Sequence, residues 1–161
     1  MVDDELQQLA QEVGQALMAK KLMLSFVESC TGGLASAVVT EIPGSSAWFD
    51  GGVVTYSNQA KQDLLQVRAE SLSQYGAVSE QVASEMASGL LKQGRADIVV
   101  SVTGIAGPDG GTSEKPVGTV CFAWASKNSP VKTQRSLFTG SRQEIRQQSV
   151  RTMLLGIKDL L

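Results

Sequence analysis

The chain contains no histidine among its 161 residues. Without imidazole, a Ser-His-Asp triad, histidine-based acid–base catalysis and zinc sites that need histidine are all excluded. A hydrolase of this composition would have to take its base from lysine, tyrosine, aspartate, glutamate or water. The absence of histidine therefore narrows the catalytic chemistry more than any other feature of the composition.

Cysteine, long apolar runs and excess charge are also scarce. Cys30 and Cys121 are too few for a disulfide framework, and we expect reduced thiols in a cytoplasmic protein. No apolar run approaches the length of a bilayer span, and the acidic segment 1–5 lacks the apolar core of a secretory signal. A net charge of -2 gives no electrostatic reason to expect nucleic acid or an anionic membrane as a partner.

The apolar pattern predicts one domain, residues 1–161, in which helices and strands alternate. Asn58 is the predicted N-cap of the third helix, and Ser141 with Glu144 forms a capping box that opens the last helix. Helices are predicted over 4–20, 34–42, 59–67, 80–93 and from the capping box onward, and strands over 22–27, 48–57, 97–103, 117–126 and 131–138. The last two strands read as a hairpin. This order predicts a three-layer α/β/α sandwich with a mixed β-sheet.

Residues 28–33, with the sequence Glu-Ser-Cys-Thr-Gly-Gly, join the first predicted strand to the second helix. A hydroxyl at such a corner projects from the sheet edge, and the paired glycines let another molecule approach the backbone. The N–H groups of the following helical turn suit an anion or a developing oxyanion. Ser29 is therefore a candidate nucleophile, although a serine here also suits a cap or turn. We expect Cys30 to be a packed small residue, because no histidine is present to generate its thiolate.

Lys61 is the candidate base for Ser29. With Asn58 as N-cap it occupies the third helical position, where the helix dipole disfavours a cation. Partial burial would lower its pKa further, so that a neutral amine near pH 7 becomes possible. Tyr56, at the end of the preceding strand, could relay a proton or orient the amine. The alternative is a solvated surface lysine without a catalytic role.

The glycine-rich segment 103–111 follows the third predicted strand and so lies at a sheet edge, where ligands collect in open α/β sheets. It matches neither a Walker A motif nor a dinucleotide fingerprint. It is either a ligand-wrapping loop or a flexible surface connection, and loops this long are often functional. Asp109 could hold Lys61 or a ligand amide, or only shape its turn. Arg142 and Arg146, on adjacent turns of the last helix, could clamp a phosphate or remain solvated.

Several long motifs in one order make the chain resemble the CinA C-terminal domain family, from about the first helix to the last. These motifs are residues 28–33, Gly44-Ser-Ser-Ala-Trp-Phe49, Val54-Thr-Tyr-Ser-Asn58 with Ala60-Lys61, Gly76-Ala-Val-Ser-Glu80, and Ser101 to Gly111 with Lys115-Pro-Val-Gly-Thr119. The resemblance implies a serine–lysine amidohydrolase without metal or cofactor, which hydrolyses the carboxamide of nicotinamide mononucleotide in pyridine nucleotide recycling. It also implies a homodimer.

The resemblance implies a role for each matching residue: Ser29 as nucleophile, Lys61 as general base and Tyr56 as its assistant. It implies substrate or oxyanion contacts for Glu28, Cys30, Thr31, Gly32, Gly33, Thr103, Gly104, Ile105, Ala106, Gly107, Asp109 and Arg142. Family members often read Gly-Asp-Arg before the last helix, whereas this chain has Ser141 in place of the acid. A non-catalytic nucleotide- or partner-binding module is the alternative function. A phosphoryl-transfer enzyme is a third, weakened by the absence of a P-loop.

Overall fold

The computed structural model describes residues 3–161. Its helices are α1 (Asp4–Lys20), α2 (Leu34–Thr40), α3 (Asn58–Leu65), α4 (Ala69–Tyr75), α5 (Glu80–Gln93) and α6 (Arg142–Leu160), with a short 3-10 turn at Ser45–Ala47. Its strands are β1 (Leu24–Glu28), β2 (Phe49–Val54), β3 (Ile98–Gly104), β4 (Thr119–Ser126) and β5 (Ser129–Leu137).

The five strands form one mixed sheet in the order β2-β1-β3-β4-β5. β1 runs parallel to both of its neighbours, β2 and β3, whereas β3, β4 and β5 are antiparallel in succession. In the parallel part, Glu28 pairs with Val54 on one side and Val102 on the other. The carboxyl ends of β1, β2 and β3 therefore meet at one edge of the sheet, and the chain leaves all three strands there.

Helices cover both faces of the sheet, so the predicted three-layer sandwich with a mixed sheet is confirmed. One buried apolar cluster joins α1, α2 and α6 to residues such as Phe26, Val100 and Phe122. A second joins α3 and α5 to the other face through residues such as Val27 and Val99. In residues 3–161, no helix combines the length and the apolar character needed to cross a membrane.

Several local predictions are confirmed and two need correction. The bounds of α1 and α5 and the capping box of α6 are as predicted. Asn58 as N-cap of α3 is wrong, because Ser57 Oγ accepts from the Ala60 N–H at 3.0 Å and the helix already begins at Asn58. Lys61 is consequently the fourth helical residue rather than the third. The predicted turn region before Gly76 contains a further helix, α4, which packs against α5.

Candidate active site

Ser29 and Lys61 are in hydrogen-bond contact at the carboxyl edge of the sheet. Ser29 is the first residue after β1, where its N–H donates to the Val102 carbonyl at 3.1 Å. Lys61 extends from α3, and its Nζ lies 3.1 Å from Ser29 Oγ. Both side chains are buried, with 7% of Ser29 and 1% of Lys61 exposed. The fold thus joins two residues that the sequence singled out separately.

The surroundings of the Lys61 amine favour its neutral form. Burial lowers the pKa of Lys61 from its ordinary value of 10.5, since the charged form loses its hydration. Besides Ser29 Oγ, its oxygen partners are two backbone carbonyls, those of Thr55 at 2.8 Å and Tyr56 at 3.4 Å. A neutral amine has two N–H donors for these carbonyls and one lone pair for the Ser29 hydroxyl. This arrangement lets Lys61 accept the proton of Ser29.

Tyr56 contacts the amine through its backbone rather than its phenol. The side chain is 62% exposed, and its hydroxyl accepts a hydrogen bond from Arg142 Nη2 at 3.2 Å. Arg142 Nη1 also donates to the Gly107 carbonyl at 2.7 Å. The Tyr56 hydroxyl makes no hydrogen bond to Ser29 or Lys61, so the geometry supports orientation of the amine by the Tyr56 carbonyl. Arg142 ties α6 to both Tyr56 and the glycine-rich loop.

Glu28 is fully buried and caps α2 from the end of β1. One carboxylate oxygen accepts from Thr31 Oγ1 at 2.7 Å, the Ala35 N–H at 2.9 Å and the Gly33 N–H at 3.2 Å. The other accepts from the N–H and the hydroxyl of Ser36 at 3.0 and 2.7 Å. The N-cap residue, Gly33, has no side chain for this purpose. The N–H groups at the start of α2, which were predicted to bind a ligand, therefore bind the Glu28 carboxylate instead.

Two other N–H groups beside Ser29 remain available. Residues 29–32 form a tight turn closed by a hydrogen bond from the Gly32 N–H to the Ser29 carbonyl at 3.0 Å. Cys30 and Thr31 occupy the middle of this turn, and no residue within 3–161 accepts a hydrogen bond from either N–H. Of these two residues only Cys30 lines the cleft, whereas Thr31 is fully buried. The candidate oxyanion donor is accordingly the N–H group of Cys30. The N–H groups of Gly32 and Gly33, expected in this role, have other acceptors.

Cys30 and Arg146 also differ in what they contribute to this corner. The Cys30 side chain is packed, as expected, and burial raises the pKa of its thiol to about 12. Arg146 donates from Nε to the Cys30 carbonyl at 3.2 Å and from Nη2 to the Thr31 carbonyl at 2.9 Å. Its guanidinium is thus bound to the backbone of the corner rather than free to clamp a phosphate.

A cleft of about 290 Å³ opens in front of the serine–lysine pair. It brings together all three predicted catalytic residues and most of the predicted contact residues, whereas Glu28, Thr31, Gly32 and Gly33 lie behind its wall. The lining consists of Ser29, Cys30, Tyr56, Asn58, Lys61, Ala77, Val78, Thr103, Gly104, Ile105, Ala106, Gly107, Asp109, Gly110 and Arg142. The glycine-rich segment is therefore one wall of the cleft.

Hydrogen bonds hold this wall in place. The Ile105 N–H donates to the Thr119 carbonyl at 2.9 Å, and the Gly118 N–H donates to the Ile105 carbonyl at 2.8 Å. Thr103 Oγ1 donates to the Ala77 carbonyl at 2.9 Å, which fixes the opposite wall. Asp109 is exposed at the rim and is not a hydrogen-bond partner of Lys61. The interpretation of Asp109 as a partner of Lys61 is thus unsupported, while a ligand contact remains open to it.

Sequence reasoning missed three lining residues, Asn58, Ala77 and Val78. Asn58 was assigned to the cap, and because Ser57 takes that position its side chain is left to face the cleft. The other two lie between α4 and α5, and their only signal was the Gly-Ala-Val motif in the family resemblance. Within residues 3–161, no group of three or more cysteine, aspartate or glutamate side chains is arranged to hold a metal ion.

Comparison with protein families gives one match over nearly the whole chain: residues 6–161 match the model of the CinA C-terminal domain. The nicotinamide-nucleotide amidohydrolase PncC of Escherichia coli (strain K12) is 55% identical over 149 residues, 92% of this chain and 90% of the relative. The protein of the same name from Enterobacter agglomerans is 54% identical over an equal length. Similarity to proteins of this name therefore extends well beyond the site.

Two further comparisons concern proteins named for competence. A CinA-like protein of Leptospira biflexa is 48% identical over 91% of this chain but only 35% of its own length. The crystal structure of the competence/damage inducible protein CihA from Agrobacterium tumefaciens superposes with a TM-score of 0.97 at 45% identity, covering 99% of this chain and 98% of that one. The same domain thus occurs alone and within longer proteins.

Proposed function

The chain belongs to the CinA C-terminal domain family, and we propose that it hydrolyses the carboxamide of nicotinamide mononucleotide to nicotinate mononucleotide and ammonia. The observation that carries this proposal is the buried Ser29–Lys61 pair, with Nζ 3.1 Å from Oγ at the base of a cleft. The substrate is supported by relatives that are 54% and 55% identical and are named nicotinamide-nucleotide amidohydrolase.

Acylation begins when neutral Lys61 takes the hydroxyl proton of Ser29. The serine oxygen attacks the carboxamide carbon, and the N–H group of Cys30 stabilises the oxyanion. Collapse of this intermediate breaks the C–N bond, and Lys61 returns its proton to the departing nitrogen, which leaves as ammonia. The product is a nicotinoyl ester on Ser29, with Lys61 neutral again.

Deacylation repeats the same steps with water as the nucleophile. Lys61 takes a proton from the water, whose oxygen attacks the ester carbon while the same N–H group holds the oxyanion. The ester C–O bond breaks and Ser29 Oγ recovers the proton from Lys61. The carboxylic acid product leaves and gives its proton to the solvent. One amine thus serves both halves of the reaction, as the absence of histidine requires.

Arg142 lines the cleft and is exposed, and we place the phosphate of the nucleotide beside it. Among residues 3–161 no carboxylate forms an ion pair with Arg142, so its charge is available to an anion at the rim. At about 290 Å³ the cleft is near the lower limit of roughly 300–1,000 Å³ for ligand pockets. It suits a pyridine ring and its carboxamide, with the ribose phosphate directed outward.

Incubation with nicotinamide mononucleotide, followed by an ammonia assay, tests the reaction. Ser29→Ala and Lys61→Ala should each lower turnover by roughly 10³-fold or more without loss of the fold. The matched controls are Ser129→Ala and Lys132→Ala on β5, both exposed and distant from the cleft. Turnover should persist in the presence of a chelator. Near-normal ammonia release by either site variant refutes the assignment.

The rival function is a non-catalytic nucleotide- or partner-binding module, which the names of the competence-related relatives suggest. The same experiment separates the two functions. A folded wild-type chain that binds the mononucleotide, measured by calorimetry, but releases no ammonia supports the module. Ammonia release that depends on Ser29 supports the amidase.

The proposal extends to the setting of the reaction. We propose a homodimer that works in a reducing cytoplasm and does not bind nucleic acid. Both cysteines are buried and unpaired, and the net charge is -2, which support the second and third statements. The dimer follows from the family resemblance, and light scattering coupled to size-exclusion chromatography tests it.

A further inference from the structure

We infer that Arg146 is a positioning residue that aims the oxyanion donor, the Cys30 N–H, an inference that rests on the proposed function. Its guanidinium reaches from α6 to the turn after β1, where it binds the carbonyls of Cys30 and Thr31 at 3.2 and 2.9 Å. It makes no hydrogen bond to Ser29 or Lys61, and it does not line the cleft. Any effect on catalysis must therefore pass through the backbone of the turn.

The geometry of the peptide unit provides that route. In a trans peptide, the C=O of one residue and the N–H of the next point in opposite directions. Arg146 holds the Thr31 carbonyl, and the Gly32 N–H of that peptide unit donates to the Ser29 carbonyl at 3.0 Å. Because the Ser29 carbonyl is held in this way, the Cys30 N–H of the same peptide unit is directed to the opposite side, and Cys30 lines the cleft. Arg146 also holds the Cys30 carbonyl, which fixes the next peptide plane. One side chain thus fixes two successive peptide planes.

Other contacts of the corner do not duplicate this function. Glu28 binds Thr31 Oγ1 and the Gly33 N–H, which fixes the start of α2 but neither of the two carbonyls. Arg146 is half-buried, and among residues 3–161 it forms no ion pair with a carboxylate. Its full positive charge therefore lies beside the turn in which the negative charge develops.

Loss of the guanidinium should affect kcat rather than KM. In Arg146→Met the two carbonyls lose their donor, the peptide planes can rotate, and the oxyanion loses the alignment of the Cys30 N–H group. Removal of an oxyanion donor lowers kcat by about 10²–10³-fold, and misalignment should cost roughly tenfold or more. Arg146→Lys keeps the charge but replaces the planar fork by one ammonium, so we expect an intermediate kcat.

The test measures two quantities for wild type, Arg146→Met, Arg146→Lys and the control Arg151→Met. Arg151 lies on the same helix and is bound to Glu5 on the surface. The first quantity is kcat and KM for nicotinamide mononucleotide. The second is the rate at which a fluorophosphonate labels Ser29, followed by mass spectrometry. In labelling, Lys61 takes the serine proton, a P–O bond forms to Ser29 Oγ, and fluoride leaves. The phosphoryl oxygen accepts a hydrogen bond from the same donor, the Cys30 N–H.

We expect folded Arg146→Met to lose about tenfold or more in both kcat and labelling rate, with KM within about threefold of wild type. Values of kcat and labelling within twofold of wild type, or an effect on KM alone, overturn the inference. If Arg146→Met does not fold, Arg146→Lys decides alone: a kcat and a labelling rate more than twofold below wild type, with KM within about threefold, support the inference, and values within twofold overturn it. Failure of both variants to fold overturns it, because the role of Arg146 is then purely structural. A wild type that is labelled but releases no ammonia refutes the proposed function, while labelling still decides the role of Arg146. A wild type that does neither refutes both.

Discussion

Replacement of Glu28 by glutamine isolates the contribution of the buried carboxylate that caps α2. Glutamine can keep an oxygen on the three donors that share one carboxylate oxygen, but its NH₂ group then faces Ser36. The Ser36 hydroxyl can rotate to accept, whereas the Ser36 N–H loses its acceptor. An unsatisfied buried N–H costs about 1–3 kcal/mol, and the other bonds lose their charge assistance. After the relief of burying a charge is allowed for, we expect a loss of about 3 kcal/mol in the free energy of unfolding.

Urea denaturation and scanning calorimetry measure this loss directly. A domain of this size loses about 2–4 °C in Tm for each kcal/mol, so Tm should fall by roughly 6–12 °C. The matched control is Glu41→Gln at the end of α2, where the carboxylate is exposed and accepts no hydrogen bond within residues 3–161. We expect the control to stay within about 0.5 kcal/mol of wild type. Equal unfolding free energies for the two variants would show that the hydrogen bonds to Glu28 do not stabilise the corner.

Three further substitutions give distinct outcomes. Lys61→Met should abolish turnover, and urea denaturation should show that it is more stable than wild type at neutral pH. Burial lowers the pKa of Lys61 below 10.5, so the unfolded wild type binds more protons than the folded wild type until the pH reaches that value. The gain in stability should vanish there. Cys30→Ala keeps the backbone N–H and removes a protonated thiol, so ammonia release should fall by less than about tenfold; a larger loss in a folded variant would implicate the sulfur. A methyl group at Gly156 would overlap the buried indole of Trp124, so Gly156→Ala should lower the free energy of unfolding by about 2 kcal/mol. The control is Gly51→Ala, where the added methyl meets no atom within 4 Å. Equal free energies of unfolding for the two variants would contradict this packing.

The sequence singles out Ser29 and Lys61 because each follows a predicted strand at a strand-to-helix corner. Their contact depends on β1 and β2 being parallel neighbours, because the carboxyl ends of parallel strands meet at one sheet edge. The choice between Ser57 and Asn58 as the cap of α3 could not be made, since both residue types are strong N-caps. Local pattern decides which segment is helical, but it does not rank two adjacent caps.

The donor to the oxyanion was the least predictable part of the site. The free N–H groups of the helix start are a general feature of helices, but here Glu28 occupies them from the preceding strand. Arg146 lies 115 residues from Thr31, and no periodicity links an arginine in one helix to a carbonyl in a distant turn. Contacts of this kind depend on how α6 packs across the sheet, which the sequence pattern specifies only as a buried face.

The base is carried by α3, the helix that follows the edge strand β2. β2 pairs with β1 alone, and beyond their last pair the connection continues as one hydrogen bond, from the Thr55 N–H to the Glu28 carbonyl at 2.9 Å. Peripheral segments open at lower free energy than the centre of a domain. If this edge of the sheet opened locally, the Lys61 amine would move away from Ser29. Ser29 would remain in the folded interior but would have no base to take its proton. Catalytic activity therefore depends on the pairing of β2 with β1, even when the rest of the chain stays folded.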